Sequence, residues 1–147
     1  MGEIVAFPAC ERFVDYPEPR KELTEGERQD ILRLRRWFVE ILLLHPLHLE
    51  TRAFNAVHSA ESDARSLGQA FCHTLQWHAR KRFVIFPERE RSASQDEVWF
   101  LSLMRAARSG DQASLRSLIA WCIRPSGQRL AYQLVRRIGA LNPGKEA

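Results

Sequence analysis

The sequence is poor in the features that would assign it to a specialised class of protein. Its 7 Gly and 7 Pro are too few for a fibrous or loop-rich chain. Its most apolar stretch, residues 37–49, is shorter than the roughly 20 residues that cross a bilayer, and it contains Glu40 and Pro46. Three widely spaced cysteines do not form the disulfide framework of a small secreted protein: Cys10, Cys72 and Cys122. We therefore expect a cytoplasmic protein with free thiols and no membrane contact.

Catalytic and cofactor motifs are also missing. The sequence has no G-x-S-x-G turn, no Gly-rich phosphate loop and no cysteine with the neighbours of a known nucleophile. Cys122 falls on an apolar helical stripe and Cys72 lies beside one, where a thiol behaves as a small hydrophobic group. We therefore predict no catalytic residue and no cofactor. A metal- or thiol-dependent enzyme is the third hypothesis, behind the two developed below.

What the chain does have is the composition of one globular domain. Its 147 residues are 45% hydrophobic and 27% charged, which is ordinary for a domain that can bury about two thirds of its surface. Most of the 22 basic residues are Arg, and the net charge of +4 is mildly basic. The short, Arg-rich, single-domain character is typical of bacterial regulatory proteins. We divide the chain into an extended N-terminal arm at 1–22, a helical domain at 23–143 and a C-terminal tail at 144–147.

Apolar residues recur at helical spacing through most of the domain. The first helix is predicted to begin at Thr24, which forms a capping box with Glu27, and its apolar end near Leu42 and Leu43 is expected in the core. The segment 50–81 follows as one long helix, or as two helices with a break at 59–62.

Three shorter helices are predicted to complete the chain. They begin at Ser94, Asp111 and Ser126, with Gly110 ending the first and Pro125 the second. The β-prone segments 4–7 and 83–86 could pair as a minor two-stranded ribbon, and 88–94 is expected to be an exposed linker. The predicted fold is an all-α, compact bundle of about five helices with an extended N-terminal arm.

The histidine and cysteine side chains are the candidate metal ligands of this sequence. A structural zinc site needs four ligands, usually in two close pairs. Neighbours on a helix point about 100° apart, and a spacing of five residues does not bring two side chains together, so the residues available are poorly arranged. We predict no metal site, while leaving open whether any of these residues is a ligand: His45, His48, Cys72, His73 and His78.

Two hypotheses for function remain. Trp and Arg are enriched where proteins bind one another, and two Trp residues, Trp77 and Trp99, lie off the apolar stripes of their helices. Our first hypothesis is therefore a small non-catalytic regulatory or adaptor protein that binds another protein or a second copy of itself through Trp77 and Trp99.

The alternative is a nucleic-acid-binding regulator that uses Arg-rich helix faces. The last two predicted helices have the outline of a helix-turn-helix, although only Gln128 and Arg129 at the start of the second could read bases. The residues that would contact nucleic acid or an acidic partner are Arg33, Arg36, Arg80, Lys81, Arg82, Arg136 and Arg137.

Overall fold

The computed structural model describes residues 16–44, 55 and 63–141. These residues form five helices and no strand, which confirms the predicted all-α bundle. The five helices are α1 (Glu25–Ile41), α2 (Ala64–His78), α3 (Gln95–Ser109), α4 (Gln112–Cys122) and α5 (Pro125–Ala140). Helix α3 packs against α1, α4 and α5, and α2 packs against α1 and α5.

Helix α1 begins as predicted but ends differently. Thr24 and Glu27 form the capping box, each side chain accepting a hydrogen bond from the backbone N–H of the other. Ile31 and Leu34 lie in the core, whereas Leu42 and Leu43 are 72% and 83% exposed. The expected burial of this apolar end is therefore confirmed for Ile41 and wrong for Leu42 and Leu43. The helix ends at Ile41, and the turn that follows carries both Leu side chains away from the core.

Helix α2 is the second part of the long helical segment. Asp63 accepts a hydrogen bond from the backbone of Ser66 and so caps the start of the helix, and the helix ends at His78 rather than at residue 81. Gly68 lies directly against the indole of Trp37, since a Cβ built on it would come within 2.1 Å of the ring. The glycine therefore lets α1 and α2 approach closely. Most of residues 50–62 lie outside the described residues, so the choice between one helix and two stays a prediction.

Helix α3 is the central element of the bundle. It begins with the predicted capping box of Ser94 and Glu97 and ends at Gly110, whose φ of 74° is the left-handed conformation that glycine adopts most easily. Nine of its 15 residues are buried, including both charged residues of its first turn, Asp96 and Glu97. A helix buried on most of its surface must satisfy those charges internally.

Helices α4 and α5 form a hairpin on one side of α3. Asp111 caps α4 by accepting from the backbone N–H of Ser114, as predicted. Pro125 does not simply stop α4. It is the first residue of α5, one position earlier than the predicted start at Ser126, and proline suits that position because its missing N–H would have no helical partner there.

The segment 79–94 connects α2 to α3 without forming a strand. Its ends are held by two isolated bridges, from Ala79 to Ile123 and from Ala93 to Arg20 in the N-terminal arm. Within the described residues, nothing pairs with 83–86 as a ribbon, and the proposed partner segment 4–7 lies outside them.

Candidate partner-binding surfaces

A groove runs between the connecting segment and the ends of α1 and α2. We call it the apolar groove; its volume is about 590 Å³. One wall carries Val39, which is 57% exposed, together with the exposed Leu42, and the other is the segment 81–88. Large apolar side chains exposed along a groove are typical of surfaces that bind a partner.

The two backbone edges of the connecting segment differ in their hydrogen bonds among the described residues. The N–H groups of Val84 and Phe86 donate to the carboxylates of Asp96 (2.7 Å) and Glu97 (3.1 Å). Because alternate residues bond to the same helix end, the segment is extended, with Phe83 and Ile85 packed on the core and Val84 half-exposed. Among the described residues, no hydrogen bond reaches the backbone of Phe83 or Ile85 on the opposite edge.

The buried side chain of Arg35 holds residues 88–92 of the connecting segment in place. Its Nε and Nη2 donate to the two carboxylate oxygens of Glu97 at 2.7 and 2.9 Å, and its remaining N–H groups reach backbone carbonyls. Those carbonyls belong to Glu88, Glu90 and Ser92. Residues 88–91 are exposed, as expected of a linker, whereas 93 and 94 are buried. The backbone of this linker is wrapped around a buried guanidinium that uses all five of its donors.

A second groove lies between α4 and α5 and has the opposite character. We call it the basic groove; it has a volume of about 770 Å³ and is lined by Arg116, Arg129 and Arg136, with no carboxylate among its lining residues. Tyr132 also lines it, with the guanidinium carbons of Arg116 and Arg136 at 4.5 and 5.6 Å from its ring centroid. Residues 112–141 contain five Arg and neither Asp nor Glu.

The basic residues named from the sequence do not form one face. Lys81 and Arg82 line the apolar groove, where Lys81 pairs with the buried Asp96 at 2.7 Å. Arg136 lines the basic groove. Arg80 borders it, since its Nε donates to the carbonyl of Ala120, a lining residue.

The other three predicted contacts differ in exposure. Arg33 pairs with Asp30 at 2.9 Å and is largely buried, and Arg36 is exposed and lies 3.7 Å from Glu88. Arg137 is half-buried on α5. The basic groove therefore combines Arg136 with Arg116, which sequence analysis missed. A signal existed for the α5 side of the groove, since residues 129, 132, 133 and 136 fall on one helical face in a stretch without acidic residues, but no local pattern points to Arg116.

The two Trp residues named from the sequence have opposite environments. Trp77 is 62% exposed and follows Gln76, which lines the apolar groove. Trp99 is fully buried in the core, where its Nε1 donates to the carbonyl of Leu118 and its ring packs on Phe83. The expectation that Trp99 forms part of a partner surface is therefore wrong. A position off one apolar stripe does not mean exposure when the helix is buried on several sides.

The two cysteines among the described residues, Cys72 and Cys122, are both buried free thiols. Cys122 is buried, its thiol donates to the hydroxyl oxygen of Tyr16 at 3.7 Å, and that hydroxyl in turn donates to Asp96 at 2.6 Å. Burial raises the pKa of Cys122 to about 12, and burial also raises the pKa of Cys72. Both thiols are thus protonated at neutral pH, and a protonated thiol is a poor nucleophile.

No group of three or more potential metal ligands comes together within residues 16–44 and 63–141. Cys72 and His73 are buried on α2, and His78 binds Ser126 with a 3.0 Å contact between Nδ1 and Oγ. His45 and His48 lie outside the described residues, so any ligand role for them stays a prediction.

Comparison with known proteins gives no relative. No family model, no curated protein and no solved structure matches the chain. None of the five helices is long and apolar enough to span a membrane.

Proposed function

We propose that this chain is a non-catalytic adaptor or regulatory protein that binds another protein by receiving an extended apolar segment in the apolar groove. The observation that carries the proposal is the exposure of Val39 and Leu42 along the groove, beside a backbone edge at Phe83 and Ile85 to which no described residue bonds. An extended partner segment can add to such an edge through main-chain hydrogen bonds, while side-chain contacts supply selectivity.

The chemistry of the groove sets the character of the partner segment. Its walls are mostly apolar, so we expect Val, Ile, Leu or Phe at alternate positions of the segment, which are the positions that face one side of an extended chain. Arg82 at the rim favours an acidic residue at one end of the segment. Burying one side chain the size of Val39 or Leu42 contributes about 1.5–3 kcal/mol, or roughly tenfold or more in affinity.

Peptide selection tests this proposal directly. Random 12-residue peptides displayed on phage are selected against the immobilised protein, and the best are synthesised and measured by fluorescence anisotropy. We expect peptides rich in alternating apolar residues that lose at least tenfold in affinity toward Val39→Glu and toward Leu42→Glu. Both side chains are exposed, so neither substitution should unfold the protein, and circular dichroism checks this.

A matched control and a backbone probe sharpen the result. Arg105→Glu alters an exposed side chain outside both grooves and should leave peptide affinity unchanged. Methylating alternate backbone nitrogens of a bound peptide removes the donors of one edge, so one of the two methylation patterns should abolish binding and the other should not. Peptides that bind the Glu variants as well as the original protein, or that tolerate both patterns, would refute the proposal.

The partner can also be a second copy of the chain. Sedimentation equilibrium across a concentration range measures self-association. If the protein dimerises, Leu42→Glu should shift it to monomer while Arg105→Glu does not.

A further inference from the structure

The basic groove is a second candidate binding surface and shares no lining residue with the apolar groove. We infer that it binds single-stranded nucleic acid, with the three Arg side chains contacting phosphates and Tyr132 and its flanking guanidinium planes stacking on bases. Its lining holds Arg116, Arg129 and Arg136 without a carboxylate, so the occupant must supply negative charge.

The aromatic ring in the lining of the groove distinguishes among anionic partners. Arg116 and Arg136 place their guanidinium carbons within 6 Å of the ring centroid of Tyr132. Unpaired bases stack on aromatic rings and on guanidinium planes, whereas bases inside a duplex are covered by their neighbours. An acidic peptide would use the three charges but has no planar base to stack on the ring and the guanidinium planes. Aromatic and cationic groups together therefore favour a single strand.

The helical hairpin also presents these groups in a line. Arg129, Tyr132 and Arg136 are three and four residues apart on α5, so they follow one face of the helix. Arg116 faces them from α4, and Arg80 borders the same groove through its bond to the carbonyl of Ala120. A groove with charges along its length and an aromatic ring between them is the usual arrangement of proteins that bind single strands with little sequence preference.

Fluorescence anisotropy with labelled 12-nucleotide oligo-dT and oligo-U measures the binding. A duplex of the same length and a 12-residue poly-Glu peptide are measured alongside. We expect both single strands to bind more tightly than the duplex or the peptide. Three phosphate contacts predict that affinity falls roughly fifteen- to twentyfold between 50 and 200 mM salt, because about 0.7 counterions are released per contact.

Variants connect the binding to the groove. Arg116→Ala, Arg129→Ala and Arg136→Ala together should abolish binding at 200 mM salt, and Tyr132→Leu should weaken single-strand binding at least fivefold while Tyr132→Phe does not. The control replaces three exposed Arg residues outside the basic groove, Arg89, Arg91 and Arg105, by Ala. It removes the same charge and should change affinity less than threefold.

Four results would overturn the inference. These are no oligonucleotide binding at 50 mM salt, tighter binding of the duplex, equal binding of poly-Glu, and equal losses in the groove and control triple variants. Val39→Glu leaves the basic groove untouched, so its oligonucleotide affinity should match that of the original protein. Peptide binding by the apolar groove and oligonucleotide binding by the basic groove can therefore be refuted independently of each other.

Discussion

Replacing Arg35 by Ala should destabilise the protein more than any other single Arg substitution among the described residues. Arg35 and Glu97 are both buried and joined by two hydrogen bonds, so the substitution leaves a carboxylate in the core without its cation. It also leaves three backbone carbonyls without their donor. Breaking a buried pair by removing one partner costs about 3–5 kcal/mol, a large part of the 5–15 kcal/mol that stabilises a typical domain.

Urea denaturation followed by circular dichroism measures this loss. With a slope of about 2 kcal/mol per molar urea, the midpoint should fall by roughly 2 M. The neighbouring Arg36→Ala is the matched control, because Arg36 and Glu88 are both exposed and 3.7 Å apart. A pair of that kind contributes about 0–1 kcal/mol, so its midpoint should move by less than about 0.5 M.

The double variant Arg35→Met/Glu97→Gln separates the charge from the hydrogen bonds. It removes both charges but keeps an oxygen that can accept from the backbone of Ser94, so it should recover part of the loss. If Arg35→Ala loses no more stability than Arg36→Ala, the idea that the buried pair holds residues 88–94 in place is refuted.

Three further predictions test other parts of the structure. Gly68→Ala should lower the free energy of unfolding by about 1–2 kcal/mol, because the new methyl group meets the buried indole ring of Trp37. Gly26→Ala, which has open space around it, should be neutral or stabilising. Thermal denaturation compares the two variants, and an equal loss of stability in both would contradict the close packing of Gly68. In a Cys10→Ser variant, Cys72 and Cys122 should not react with a thiol reagent at pH 8 until the protein is unfolded, because their raised pKa values keep them protonated. Fast reaction of either thiol in the folded protein would contradict this. Trp77→Phe should remove most of the fluorescence that acrylamide quenches, and unchanged quenching would mean that another indole is exposed.

Helix starts and turns were predictable because their determinants are local. The capping boxes at Thr24 and Ser94 and the left-handed Gly110 each depend on residues within one turn of the chain, and all three are confirmed. The exposed Leu42 was not predictable in the same way. Whether an apolar helix end is covered depends on what packs against it from elsewhere in the chain.

The basic groove and the buried ion pair likewise combine features that are predictable from local sequence with others that depend on packing between distant residues. Arg129 and Arg136 lie on one face of α5 that the sequence predicts. Only the packing of α4 against α5 brings Arg116 to the ring of Tyr132, beside Arg136. The burial of Glu97 was not predictable either. A capping box at Ser94 already accounts for a Glu at this position, so the sequence gives no reason to expect a buried cation beside it. Its partner Arg35 is 62 positions away, and no local pattern joins two residues at that distance.

The two carboxylates at the start of α3 make an irregular segment part of the cooperative core. The amides of Val84 and Phe86 are bound to Asp96 and Glu97, whose own positions depend on Lys81 and Arg35. These two amides should therefore exchange with solvent deuterium only when the domain unfolds as a whole, although they belong to no helix or strand. Those of Phe83 and Ile85 should exchange quickly. One short stretch of chain would then alternate, residue by residue, between the slowest and the fastest exchange in the protein.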